Sequence, residues 1–301
     1  MQFKYQPYQY RFKQPLHTSH GVWEIRHGII ITLMDQTGKI AEGEIAPLPW
    51  FGSETVAQAL EFCQQLGEIV NIDIIKTIPP EFPACRFAFE SALLDLTATV
   101  TQVKTNNLNN LKYSALLPAG EKALTACGLI SKTQNINTFK WKIGVYSLDT
   151  EIEILKRLID SLPSNSQLRL DANGGLNISQ AQQLLAVTDK LTGIEFIEQP
   201  LPPEHLGLIK QLTQEYSTPI ALDESVANYQ QLQTIYDQGW SGIFVIKAAI
   251  MGFPSQLKEF CQSRELDCVF SSVFETNIGR NAVLKLAREL NHPRAVGFGL
   301  L

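Results

Sequence analysis

The 301-residue chain has few cysteines, little charge of either sign and no long apolar run. Its five cysteines, Cys63, Cys85, Cys127, Cys261 and Cys268, are odd in number and scattered. No two have the spacing of a zinc or redox motif, which excludes a disulfide framework and points to a reducing, cytoplasmic setting. The strongest apolar stretch, GIIITLM at 28–34, falls far short of the ~20 residues that cross a bilayer. The first segment, MQFKYQPYQYRFKQ, lacks the hydrophobic core of a signal peptide. No membrane partner is expected. Charged residues make up 18%, too few for a coiled coil or a disordered chain, and the net charge is −5. Lysines and arginines form no cluster, so nucleic acid is not expected as a partner either. What the chain does have is apolar content, 45% of residues, enough for a large core. Its length admits one barrel with a smaller domain, or two ordinary domains, and leaves monomer and homo-oligomer equally open.

Two patterns divide the sequence. Strand-like runs come first, QFKYQPYQYRF and then GIIITLMDQTGKIAEGEIAP with a turn at QTGK. SETVAQALEFCQQLGEIV and CRFAFESALLDLTATV follow with apolar residues at helical spacing. This order predicts an α+β unit over 1–105. The Asn-rich stretch KTNNLNNLK reads as a joint. Beyond it, over 106–301, short apolar strands alternate with amphipathic helices: YSALLPAG, TFKWKIGV, QLRLDANG, GIEFIEQP, TPIALDES, GIFVIKAA and DCVFSSVF are the strands. Such alternation predicts parallel strands joined by right-handed crossovers. The expected class is α/β, a TIM-type (β/α)7β barrel with an N-terminal α+β capping domain, the C-terminal end packing back on the cap.

The strand ends favour the barrel over an open sheet. Each apolar run finishes on a polar residue: Lys142, Asp171, Glu198, Asp223, Lys247 and the pair Ser271–Ser272. Gaps from Lys142 to Lys247 are 29, 27, 25 and 24 residues, about one βα unit each. A closed parallel barrel gathers such residues at the C-terminal mouth, where barrel active sites lie. A single strand-end Asp is ordinarily a helix cap or a solvated loop residue. Three carboxylates on consecutive strands repel one another unless a cation offsets them. All-oxygen ligation suits a hard cation, Mg²⁺ with Mn²⁺ as a possible substitute, on Asp171, Glu198 and Asp223.

Lys140 and Lys142 are two apart on one strand and share a face. If Trp141 and Ile143 face the helices, both lysines face the barrel interior; the plainer reading of Lys140 is a stem snorkelling to the surface. Lys247 ends the sixth strand, across the mouth from Lys142. A lysine works as a base only when neutral, and an unperturbed pKa near ~10.4 leaves well under ~1% neutral at pH 7. Lowering it to about 7–8 requires roughly 3–4 kcal/mol of differential destabilisation of the cation. A metal ion and neighbouring ammonium groups in a dry cavity are a source of that destabilisation.

The ordered series KWK (140–142), LDAN (170–173), EQP (198–200), LDES (222–225) and IKAA (246–249) resembles the enolase superfamily, in the muconate-lactonizing-enzyme-like subgroup with lysines on the second and sixth strands. EGEIAPLPWFGSET (42–55) is similar to the capping domain of o-succinylbenzoate synthases, so the likeness spans nearly the whole chain. No His stands on the seventh strand, DCVFSSVF, to act as a base. The resemblance implies that Asp171, Glu198 and Asp223 hold Mg²⁺, that Lys142 abstracts a proton and that Lys247 stabilises an enolate from the opposite face. It further implies dehydration of a small carboxylate, 2-succinyl-6-hydroxy-2,4-cyclohexadiene-1-carboxylate, to o-succinylbenzoate, on the route to menaquinone or phylloquinone.

Other positions follow from their neighbourhood. Lys140, Asn173, Ser271 and Ser272 are candidate substrate-binding residues, and Glu224, with Asn173, would orient the ligands by hydrogen bonds. The helix start near Thr276–Gly279 is expected to help bind the succinyl carboxylate with backbone N–H groups. The segment LHTSHGVWEIRHG (16–28) reads as a mobile lid, with His17, His20 and Arg26 near substrate or simply at the surface. IKAA stands where a lysine–proline step is expected in many relatives, and AVGFGLL lacks the paired aspartates of dipeptide epimerases. Two alternatives stay open: an N-acylamino acid racemase using the same two lysines, and a non-catalytic barrel with a structural metal.

Overall fold

A computed structural model describes residues 1–18, 21–98, 111–133 and 136–299. Three antiparallel strands, β1 (Gln2–Thr18), β2 (Gly21–Met34) and β3 (Ile40–Ile45), form the first sheet in the order β1-β2-β3. The turn between β2 and β3 is held by Asp35, whose carboxylate accepts from Thr37 and Lys39. Alternation on β2 buries Ile29, Ile31 and Leu33, which pack with Phe3 and Ile45. The helix Pro83–Thr97 lies across this face, with Phe89 5.2 Å from the Phe3 ring. Gly43 permits that approach, since a Cβ there would come within 2.1 Å of the Ala88 carbonyl oxygen.

Seven parallel strands form the second sheet, in sequential order from β4 (Ser114–Leu117) through β5 (Thr138–Lys142), β6 (Gln167–Asp171), β7 (Ile194–Glu198), β8 (Ile220–Leu222) and β9 (Ile243–Ile246) to β10 (Cys268–Phe270). Several of the helices that follow the strands begin on a signal the sequence carries. Asn177 and Gln180 form a reciprocal capping box, and Ser147, Asn228 and Thr276 each accept a backbone N–H with the side chain. Such caps are typically worth ~1 kcal/mol.

The ring closes through the C-terminal segment. Val296 pairs with Tyr113 and Gly297 with Ser271, both in parallel sense. Ser114 N–H donates to Val296 O at 3.0 Å and Gly297 N–H to Phe270 O at 2.7 Å. The segment thus lies between the first and last strands and completes a (β/α)7β barrel, the class read from strand–helix alternation. The last helix, Asn277–Glu289, packs against β3 of the cap. The stretch read as a joint, KTNNLNNLK at 104–112, lies outside the described residues but for its last two.

The barrel interior is layered. Phe196, Ala221, Ile243, Val245 and Val269 make an apolar cluster in its middle. Beneath them Arg169, 1% exposed, pairs with Glu195, which also accepts from Arg294, itself paired to Asp267. This network borders a cavity of about 620 Å³ lined by Lys112, Thr138, Gln167 and Arg294. It lies at the N-terminal end, which in such barrels serves stability rather than chemistry.

In the segment expected to be a loop-like lid, residues 16–18 and 21–28 are instead strand of the β1–β2 ribbon; residues 19 and 20, the second of them His20, lie outside the described residues. Continued pairing explains the difference: Leu16, His17 and Thr18 remain in register with Trp23, Val22 and Gly21 after a shift beyond Arg11. Arg26 is not a surface residue there. It is 2% exposed and donates to the carbonyls of Phe274, His27 and Pro47, stitching cap to barrel.

Candidate active site

Strand register brings the predicted residues to one level. Lys142 pairs with Asp171, and Asp171 with Glu198, so these three stand side by side at the strand ends. Asp223 and Lys247 directly follow β8 and β9. Phe139 and Trp141 on β5, and Ile143 just after it, are buried at 0–2% exposure. Lys140 and Lys142 therefore face the interior, as the two-residue period requires.

The carboxylates are buried: Asp171 is 7% exposed, Glu198 2% and Asp223 5%. Lys140 does not snorkel outward. Its Nζ lies 2.8 Å from Asp171 Oδ2 and 2.8 Å from Glu198 Oε1. Burial alone would lower its pKa, but Asp171, Glu198 and Asp223 outweigh burial and hold it above the ordinary lysine value. Glu198 is pushed up to about 8, first by burial and then by the neighbouring Asp171 charge, against the pull of Lys140. Lys247 donates to Asp223 Oδ1. The ring of Phe51 covers the same ammonium, with its centroid 4.1 Å from Nζ.

Hydrogen bonds fix the surroundings. Asn173 N–H donates to Asp171 Oδ1 at 3.1 Å, and its amide donates to Glu224 Oε1 at 3.2 Å. Burial and the nearby Asp223 push the Glu224 carboxyl up to about 7. Gln199, fully buried, was not singled out by sequence reasoning although EQP contains it. Its Oε1 accepts the N–H groups of Asp223 and Ser225, and its Nε2 donates to Leu201 O and Ser225 Oγ. A fully buried amide with these bonds sets the backbone of Asp223. Its sequence signal was a polar residue with no surface to face, directly after an apolar strand.

The loop after β10 departs from expectation. Ser272 Oγ donates to Glu275 Oε2 and accepts from Phe274 N–H. The helix start at Thr276–Gly279 was expected to take a substrate carboxylate, yet Glu44 of the cap already fills it. Glu44, 1% exposed, accepts from Thr276 N–H, Thr276 Oγ1, Gly279 N–H and the Tyr8 hydroxyl. A buried side-chain carboxylate supplies the anion that a helix N-terminus attracts. Gly279 allows it, since a Cβ there would sit 3.0 Å from Glu44 Oε2.

Among the described residues, no three His, Cys, Asp or Glu side chains stand as a ready metal shell. The ion pairs explain this: Asp171 and Glu198 turn to Lys140, and Asp223 turns to Lys247. The donor chemistry still fits a hard divalent cation. Three buried carboxylates end consecutive strands, and two of them already share one cation, the Lys140 ammonium.

Comparison with known proteins shows the family. Residues 126–296 match the family model for the enolase C-terminal domain-like fold, and residues 3–96 match that of the MenC N-terminal domain. An o-succinylbenzoate synthase from Thermosynechococcus vestitus is 38% identical, covering 100% of this chain and 92% of the relative. The chain belongs to the o-succinylbenzoate synthase family of the enolase superfamily. The crystal structure of the synthase from Thermosynechococcus elongatus BP-1, with Mg in its active site, superposes with a TM-score of 0.92 over 100% of this chain and 93% of that one. A dipeptide epimerase from Enterococcus faecalis, 23% identical, shares the fold at a TM-score of 0.82, covering 99% of this chain and 91% of its own. No helix among the described residues is long and apolar enough to cross a membrane.

Proposed function

We propose that the chain dehydrates 2-succinyl-6-hydroxy-2,4-cyclohexadiene-1-carboxylate to o-succinylbenzoate, a step towards menaquinone or phylloquinone, in the cytoplasm. The observation that carries the reading is the single level formed by Lys142, Asp171 and Glu198 on neighbouring strands, with Asp223 and Lys247 completing the mouth. Asp171, Glu198 and Asp223 would hold Mg²⁺, with Mn²⁺ as a substitute. Bound there, the ion supplies positive charge against the negative charge that develops on the substrate carboxylate.

The protein's own groups do the rest. Neutral Lys142 takes the ring proton next to the carboxylate, and the resulting ammonium returns a proton to the departing hydroxyl on the same face, releasing water. Lys247 faces the ring from the opposite side and stabilises negative charge there. Lys140 bridges Asp171 and Glu198 and offsets their mutual repulsion, Asn173 orients Asp171, and Glu224 receives Asn173's amide. Ser271 and Ser272, on the loop after β10, would meet the succinyl arm, with Ser272 kept in place by Glu275.

The test is direct. Incubate the chain with Mg²⁺ and the cyclohexadiene carboxylate, and follow absorbance of the aromatic product, with a chelated control. Turnover no faster than the spontaneous rate rejects the reading. Two lysines on opposite sides of the mouth also suit a 1,1-proton transfer, so N-acylamino acid racemisation is a second activity to assay. Solvent deuterium entering the α-carbon of N-succinylamino acids would establish it.

A further inference from the structure

We propose that Phe51, delivered to the barrel mouth by the cap, is a positioning residue that holds the Lys247 ammonium toward the reacting face. The inference rests on the assignment of Lys247 given above. Phe51 ends a short 3-10 turn, Pro49–Phe51, that begins on proline and is closed by Gly52 in the left-handed region at φ 81°. Phe51 N–H donates to Leu48 O at 2.8 Å, and Leu48 N–H donates to the Ser53 hydroxyl at 2.7 Å. The turn is also fixed from outside. Trp50 meets Trp23 edge-on at 4.9 Å, and Trp23 meets Phe274 of the loop after β10 at 5.6 Å. The Trp23 indole N–H donates to Ile25 O, so this relay is anchored in the β1–β2 ribbon.

The turn so held carries the Phe51 ring to Lys247, its centroid 4.1 Å from Nζ. The negative face of an aromatic ring attracts an ammonium, most strongly where water is excluded, and Lys247 is 9% exposed. Asp223, the other partner of Lys247, is one of the three carboxylates assigned to the cation. The ring is therefore the contact that fixes the ammonium independently of that carboxylate. It also closes one side of the lysine, leaving the charge to be offered in one direction.

The contact predicts a turnover effect with a separable signature. Phe51→Leu keeps apolar bulk and removes the ring face; kcat is expected to fall about 5- to 30-fold with KM within about twofold. Phe51→Tyr keeps the face and should restore most of the rate. Independently of activity, wild-type protein carrying ¹³C at lysine Cε should show one resonance, lost in Lys247→Ala, whose protons are shifted upfield by the ring. In Phe51→Leu that resonance should move to the ordinary lysine position. An unshifted Lys247 resonance in the wild type overturns the proposal, as does Phe51→Leu turning over like wild type or Phe51→Tyr failing as badly as leucine. A rise in KM at unchanged kcat also overturns it, by making Phe51 a wall of the substrate pocket. The spectrum needs no substrate, so a missing ring shift with intact synthase turnover refutes only this contact. A shifted resonance in a protein without turnover refutes only the functional reading.

Discussion

Glu44→Gln should destabilise the protein far more than its nearly unchanged volume suggests. The carboxylate is 1% exposed and receives two backbone N–H groups, from Thr276 and Gly279, together with the hydroxyls of Thr276 and Tyr8. The hydroxyls can rotate to accept from an amide, but a backbone N–H cannot. One oxygen becomes NH₂, so one buried backbone donor faces another donor, at a cost of about 1–3 kcal/mol. The remaining bond loses its charge assistance, and the first turn of the helix Asn277–Glu289 loses a favourable negative charge, roughly 2 kcal/mol together. The sum is about 3–5 kcal/mol. With an unfolding entropy near ~2.1 cal/mol/K per residue, a chain of this length loses about 5–8 °C in Tm for that amount. Differential scanning calorimetry of both proteins at pH 7.5 reads it. A shift below about 1 °C would show that the cap–barrel seam does not depend on this carboxylate. Glu44→Ala would then have to be equally mild, because the argument rests on stranded donors rather than on side-chain size.

Lys142→Ala should reduce turnover by about 10²- to 10⁴-fold, the usual worth of a positioned base, while leaving Tm within about 1 °C. More than a tenth of wild-type activity would remove Lys142 from the proton-transfer role. Burial raises the carboxyl of Glu54 above its ordinary value, against the N–H groups of Ala84 and Cys85 that lower it. The folded state then keeps a proton that the unfolded state has already released, so this group's contribution is full below the ordinary carboxylate pKa and lost as pH rises through the raised one. Glu54→Gln should remove that decline from a plot of Tm against pH; parallel plots for the two proteins would refute the sign.

Strand ends were legible because a βα unit has a near-constant length. Gaps of 24–29 residues put Lys142, Asp171, Glu198, Asp223 and Lys247 on one rim without any knowledge of side-chain contacts. Contacts across the cap–barrel seam were not legible, because nothing local marks them. Glu44 sits within an alternating strand and contacts Thr276, 232 residues away. Arg26 looked like a polar residue near a loop tip, yet its guanidinium donates to Phe274 O and Pro47 O. The ribbon was missed for a related reason. Exposed residues such as those of 13–15 carry no two-residue period, so pairing rather than pattern extends the strands beyond the run read as β from sequence. Phe51 was invisible for the opposite cause: a phenylalanine beside tryptophan and proline reads as core, and only its distance from Lys247 gives it a chemical meaning.

Charge accounting separates the two ends of the barrel. At the N-terminal end Arg169 and Arg294 face Glu195 and Asp267, two cations against two anions, each ion paired within the network. Such a plug needs nothing from outside and gives no reason to expect a ligand. At the mouth, Asp171, Glu198, Asp223 and Glu224 stand against Lys140, Lys142 and Lys247, and burial first, then a neighbouring aspartate charge, raises Glu198 and Glu224. If Lys142 must be neutral to act as a base, only two lysine charges remain to offset four carboxyl groups. A divalent cation supplies the missing two, and it does so beside the carboxylates that are most costly to leave ionised. On the proposed function, a neutral Lys142 and a bound cation would thus go together. Replacing Lys142 by methionine, which removes the base but keeps the stem, should accordingly leave Mg²⁺ affinity within about threefold of wild type by calorimetric titration. A loss of ten-fold or more would mean that Lys142 takes part in holding the ligand carboxylates, and the division of labour between Lys140 and Lys142 would have to be reversed.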